Sequence, residues 1–232
     1  MGLQSTVKAN LGKARGEGVD ISLDYKKSFS SDFWVTARGN FTYSKSKYLE
    51  YEEPEYDEKY LSHLGYPISQ TWGYIAERLF IDDEDVRSSP VQSFGEYGAG
   101  DIKYRDVNGD GTITTLDRVP IGYPKTPEIV YGFGFSLGFK NWDLSAFFQG
   151  SARSSFWIDV ENTAPFIDSD GSSSTVSQNQ LLKAYADSFW SEDNRNIYAL
   201  WPRLSSTLNN NNAQTSTWFM PVSYTHLRAH ET

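Results

Sequence analysis

The chain has no cysteine among its 232 residues. Disulfides, zinc–thiolate centres and cysteine chemistry are therefore excluded, which suits a protein of the cell envelope. No run approaches the ~18 apolar residues of a transmembrane helix, so any membrane crossing must be made by strands. Basic charge is short as well. Lys and Arg number 21 against 30 Asp and Glu, a formal net charge of −9, and the sequence pI is about 4.8. With no basic stripe, nucleic acid is not an expected partner; cations are. No nucleophile and base stand in a credible arrangement, so an enzyme is not expected.

Aromatics, by contrast, are abundant: 15 Tyr, 14 Phe and 7 Trp, 16% of the chain. Yet the mean hydropathy is −0.54. Outer-membrane barrels combine these properties, with aromatic girdles facing lipid and polar residues in the lumen and loops. The most informative stretch is 128–157. Ile129, Tyr131, Phe133, Phe135, Leu137 and Phe139 alternate with Gly132, Gly134, Ser136, Gly138 and Lys140, Val130 being the exception. After Lys140-Asn141, Trp142, Leu144, Ala146 and Phe148 alternate with Asp143, Ser145 and Gln149. Period two means strand, and a short polar break between two such runs means a hairpin.

A second hairpin lies nearer the start. Val19, Ile21, Leu23 and Tyr25 precede a break at 28–32, and Phe33, Val35, Ala37, Gly39, Phe41 and Tyr43 follow it. Strands are expected at about 17–28, 32–47, 128–140 and 142–157, running down, up, down, up. Both tight turns then fall on one side and both long segments, 48–127 and 158–215, on the other. Barrels sort short periplasmic turns from long extracellular loops in this way. One helix is expected over 179–190.

The sharpest local motif is DVNGDGTITTLD, residues 106–117. A calcium loop needs oxygen ligands at positions 1, 3 and 5, glycine at 6, a carbonyl at 7 and a carboxylate at 12. Asp106, Asn108, Asp110, Gly111, Thr112 and Asp117 match, with Asp in place of the usual Glu at the end. No EF-hand helices flank the loop. The metal ligands expected are thus Asp106, Asn108, Asp110, Thr112 (by its carbonyl) and Asp117, converging on one structural calcium. No catalytic residue is expected. Gly134-Phe135-Ser136-Leu137-Gly138 fits G-x-S-x-G, but that nucleophile requires a strained strand-to-helix turn, and Ser136 lies mid-strand. His63 reads as a solvated or stacked loop histidine, and the acidic run 50–58 as a solvated loop. The loop aromatics Tyr56, Tyr60, Tyr66, Trp72, Tyr74, Trp190 and Trp201 read mainly as packing between long loops.

With these features in place, three segments resemble SusC/RagA-type TonB-linked outer-membrane transporters. They are ANLGKARGEGVDISLDY (9–25), GDIKYRDVNGDGTITTLDRVPIGYPKTPEIVYGFGFSLGFKNWDLSAFFQG (100–150) and FWSEDNRNIYALWPRL (189–204). The resemblance spans about residues 9–220. It implies an all-β fold, an antiparallel transmembrane β-barrel fragment that forms part of a 22-stranded TonB-dependent barrel. It also implies import of glycans or peptides with a SusD-like surface lipoprotein, coupling to TonB, and outer-membrane lipid around the barrel. MGLQSTVKAN does not read as a signal peptide, so the chain is expected to be a piece of a longer protein lacking the plug and TonB box. Residues 221–232, PVSYTHLRAHET, do not alternate and are expected to be a non-native tail outside the fold. The transported substrate is not legible.

The competing expectation is a soluble β-rich calcium-binding adhesin or glycan-binding module. The odd-numbered face of 129–139 discriminates: it meets lipid in a barrel and a protein core in a soluble module.

Overall fold

A computed structural model describes residues 11–167 and 179–220 in full, together with the backbone of 222–223 and 226–230. The period-two segments form the main sheet. Its strands are β1 (Lys13–Ser30), β2 (Phe33–Glu50), β3 (Ile129–Phe139), β4 (Trp142–Ala152) and β5 (His226–His230), hydrogen-bonded in that order. All the pairings are antiparallel. The two hairpins lie side by side as expected, with Phe33 opposite Phe139 and Tyr43 opposite Ile129. β5 was expected to stand outside the fold; its backbone instead pairs with β4 from Phe147 to Ser151. Its side chains lie outside the described residues.

β1 and β2 run 18 residues each, well beyond the ~9–11 that cross a bilayer. β3 and β4 have 11. Both tight turns close one end of the sheet, where the Lys140 N–H donates to the Asp32 carbonyl at 2.7 Å. Both long connections leave from the opposite end. β4 stops at Ala152, short of the expected 157, because Arg153 takes φ 56°, a left-handed conformation that breaks strand geometry.

The chain divides into two units. One comprises the sheet with residues 51–70 and 123–128; the other comprises 71–122 and 156–221. The segment 48–127, expected as one loop, is therefore shared between them. In the first unit, 59–66 folds back on the end of β2, where the Gly65 N–H donates to the Tyr48 carbonyl and the Tyr48 N–H to that of Tyr66. The second unit is stitched by two-residue to four-residue ladders: Thr71–Gly73 with Val119–Ile121, Ala76–Leu79 with Ile102–Tyr104, and a parallel pair, Val91–Gln92 with Thr112–Ile113. It has its own core of Tyr74, Leu79, Ile102, Tyr104, Ile113, Val160, Tyr185, Trp190, Trp201 and Phe219. Of the helix expected over 179–190, one short turn forms, Lys183–Asp187. Its N-cap is Leu182, which supplies no side-chain hydrogen bond, and uncapped short helices are marginal.

Candidate functional site

The strand register assembles one continuous apolar face. Ile21 lies opposite Phe41, Phe41 opposite Tyr131, Phe133 opposite Phe148, and Leu137 opposite both Val35 and Leu144. Because neighbours in register point to the same side, the odd positions of β3 extend across four strands. This face is exposed. Leu23 is 69% accessible, Phe133 48%, Leu144 57% and Trp142 80%. Leu137 and Phe148, which a lipid-facing surface would leave exposed, are half-buried. The cause is lateral packing: Phe148 stacks on Phe133 with ring centroids 5.1 Å apart. A contiguous exposed apolar face of this kind marks an interaction or membrane surface.

The other face is polar. Asp20, Asp24, Thr36, Arg38, Thr42, Ser136 and Ser145 share it by register. Thr42 donates to Asp20 at 3.0 Å and the Arg38 guanidinium meets Asp24 at 2.5 Å. The glycines of β3 have a specific role here. A Cβ at Gly138 would lie 2.3 Å from the Trp34 ring nitrogen, and one at Gly134 would lie 2.8 Å from the Phe147 ring. Trp34 and Phe147 thus occupy the space that a side chain at these glycines would need. Glycine on the apolar-to-polar alternation was legible; the two rings that cover it were not. Ser136 sits mid-strand in β3, so the G-x-S-x-G match has no elbow beneath it.

In the calcium-like loop, the side chains bond the loop's own backbone. Asp106 accepts from the Gly109 and Gly111 N–H groups at 2.7 and 2.8 Å. Asn108 accepts from the Asp110 N–H, and Asp110 from that of Thr112. Gly109 and Gly111 take φ 77° and 82°, the left-handed turn expected at position 6. Asp117 is fully buried. One of its oxygens accepts from Val107 N–H and the other from Thr114 N–H, both at 2.8 Å. The latter bond completes a capping box on the 3-10 turn Thr115–Asp117. Asp117 therefore braces the loop from inside. Among the described residues no three acidic or histidine side chains are gathered to hold a metal ion.

Other residues depart from expectation. His63 is neither free nor merely stacked. Its Nδ1 lies 2.7 Å from Glu53, while its ring packs on Tyr51 at 5.1 Å. Glu53, read as part of a solvated run, is largely buried. Burial raises its pKa, but hydrogen bonds from the Ser62 hydroxyl and the His63 backbone and ring outweigh that and leave it lowered.

Sequence reading also missed a buried polar network in the second unit. Asp101, fully buried, receives Arg203 through two nitrogens at 2.9 Å. It also accepts from Asn212 and from the Gly98 N–H. Asn211 and Gln92 bond each other and both donate to the Ile102 carbonyl, while Gln92 accepts from the Tyr104 N–H. Of the asparagine run 209–212, Asn211 and Asn212 are buried in this network, while Asn210 is exposed. Nearby, Asp85 meets Arg78 and Lys103 and accepts from the Ile81 N–H. The Arg78 guanidinium, helped by Ile81 and Lys103 and opposed by burial, holds its carboxyl well below the usual range.

An antiparallel sheet with an exposed aromatic face and a polar reverse side defines an outer-membrane β-barrel protein, here represented by part of the barrel wall. No family model matches the chain. It is 27% identical over 165 residues to the TonB-dependent receptor P3 of Formosa agariphila, a match covering 65% of this chain and 16% of that protein. It is 48% identical over 52 residues to TonB-dependent receptor P26 of the same organism, covering 22% and 5%. In structure it superposes on a chain of the RagAB peptide transporter with TM-score 0.58 and 20% identity, covering 94% of this chain and 22% of that one. The chain is thus similar in sequence to TonB-dependent receptors and shares its fold with the RagAB transporter, the SusC/RagA resemblance anticipated from its motifs. It spans about a sixth of the length of the first of these relatives.

Proposed function

We propose that this chain forms part of the wall and extracellular loops of a TonB-dependent importer that moves oligopeptides or glycans across the outer membrane. The observation that carries this reading is the continuous exposed apolar face across β1–β4 backed by a polar face. A soluble adhesin would bury that face in a core, and this one is open. In this reading the polar face lines the lumen, the tight-turn end is periplasmic, and the long segments are extracellular. The partner is a SusD-like surface lipoprotein, and TonB supplies coupling through parts of the protein beyond this chain. RagAB is described as a peptide transporter, which favours peptides as the first substrates to try. The test is uptake of labelled oligopeptides and oligosaccharides by cells with and without the gene for the full-length protein. Loss of uptake of one class on deletion is expected. Unchanged uptake of both classes overturns the reading.

Calcium belongs to this reading as an ordering ion for the 106–117 loop. Support comes from the ligand spacing and from Asp106, Asn108 and Asp110, which the loop N–H groups already orient near its surface. A carboxylate oxygen that accepts one N–H keeps a lone pair for a hard cation. Asp117 contributes rigidity. Calorimetric titration of the full-length protein should show calcium binding that Asp110→Ala abolishes; equal heats for the two proteins exclude it.

A further inference from the structure

The tight-turn end of the sheet carries a run of contacts that the import function does not use. Lys27 places its ammonium 5.1 Å from the centroid of the Phe29 ring. Phe29 stacks on Phe33 at 5.3 Å, and Phe33 meets Phe139 edge-on at 6.3 Å. Lys140 places its ammonium 5.4 Å from the Phe139 ring. Two cations therefore bracket three rings across three strands. Lys27 pairs with Val35, which pairs with Leu137, so it lies on the apolar side. Trp142, the most exposed large apolar residue among the described residues, follows Lys140-Asn141. Asp32 is the one acid in the two turns, and Asp143 falls on the polar face by its pairing with Gly138.

We propose that Lys27 and Lys140, set on the Phe29–Phe33–Phe139 cluster, bind the headgroup of an anionic phospholipid at the membrane boundary. This rests on the barrel reading above. Aromatic rings favour the membrane interface, and ammoniums set beside them are within reach of the lipid phosphates there. Charge complementarity selects the occupant: two lysines beside an apolar wall, neither in an ion pair among the described residues, suit a lipid with net negative charge. Lys140 takes φ 56° in the turn, and its ammonium lies beside the Phe139 ring.

The test uses the full-length protein reconstituted in bilayers with spin-labelled phosphatidylglycerol or phosphatidylcholine, read as the motionally restricted lipid fraction. Wild type should prefer phosphatidylglycerol. The K27Q/K140Q variant should reduce that preference about fivefold or more, and high salt should do the same in wild type. K26Q/K125Q removes the same charge from the polar face of β1 and from the opposite end of the sheet unit, and should leave the preference intact. Restricted lipid with no headgroup preference in wild type overturns the phospholipid site alone, as does an equal loss in both variants. Absence of restricted lipid of either kind overturns the barrel reading with it.

Discussion

The sheet and the loop unit use the same residue types in opposite ways. In the sheet, Phe133, Phe135, Leu144 and Trp142 lie on the outside. The reverse side carries Asp, Arg, Ser and Thr. In the loop unit, Tyr74, Tyr104, Trp190, Trp201 and Phe219 are buried, and charge lies outside or in satisfied networks. The difference reflects two solvents. Against lipid, an exposed aromatic is stabilised and a lumen polar group is hydrated. Against water, the same aromatic must be removed from solvent. Stability in the sheet therefore comes from backbone ladders and lateral packing, and in the loop unit from a conventional core.

The largest expected effect breaks the loop core. Trp201 is buried and packs on Tyr185 at 4.2 Å and on Phe219 at 5.1 Å. Trp201→Ala should destabilise this unit by about 3–5 kcal/mol, read as new protease cleavage within 71–122 or 156–220 of the full-length protein. Wild-type resistance in the variant would show that the core assigned here is not what holds the unit. The matched substitution on the sheet is Phe135→Arg. It should cost roughly 2–4 kcal/mol in a bilayer, while Ser136→Arg, one residue away on the polar face, should cost much less. Denaturant unfolding in lipid vesicles measures both, and equal costs would erase the contrast between faces.

The third effect concerns pH. The Asp85 carboxyl is lowered from its ordinary 3.8 chiefly by Arg78. A lowered folded value means the ion pair contributes fully above the unfolded value and is lost as pH falls through the folded one. Protease resistance around Asp83–Arg87 should thus weaken as pH drops below about 4. Asp85→Asn should lose roughly 1.5–3 kcal/mol at neutral pH and flatten the acid dependence; an unchanged acid profile in Asp85→Asn would assign it to other carboxylates. The smallest effect is Gly138→Ala, whose Cβ would press on Trp34. A loss of about 1 kcal/mol is expected, and restoration by Trp34→Ala in the same chain would confirm the contact.

Much of the sheet was legible because strand pattern is local. Alternation within 19–25, 33–43, 129–139 and 142–148 names each strand and its faces without reference to any partner. The loop site was legible only in part. The D-x-N-x-D-G spacing announces a turn with Gly111 left-handed. That Asp117 would cap a 3-10 turn and lie fully buried depended on Val107 and Thr114 arriving beside it.

The amino-acid order alone determined the four long strands β1–β4, their apolar and polar faces, and the tight turns, since each rests on neighbours within a few residues. Tertiary structure alone decided the fate of the polar tracts. Asn211 and Asn212 are buried because Gln92, Asp101 and Ile102, more than 100 residues away, supply partners for their amides. The Glu53 side chain is largely buried because Ser62 and His63 fold back onto it. A polar side chain can leave water once its hydrogen bonds are met, and in these cases the groups that meet them come together only when the chain folds.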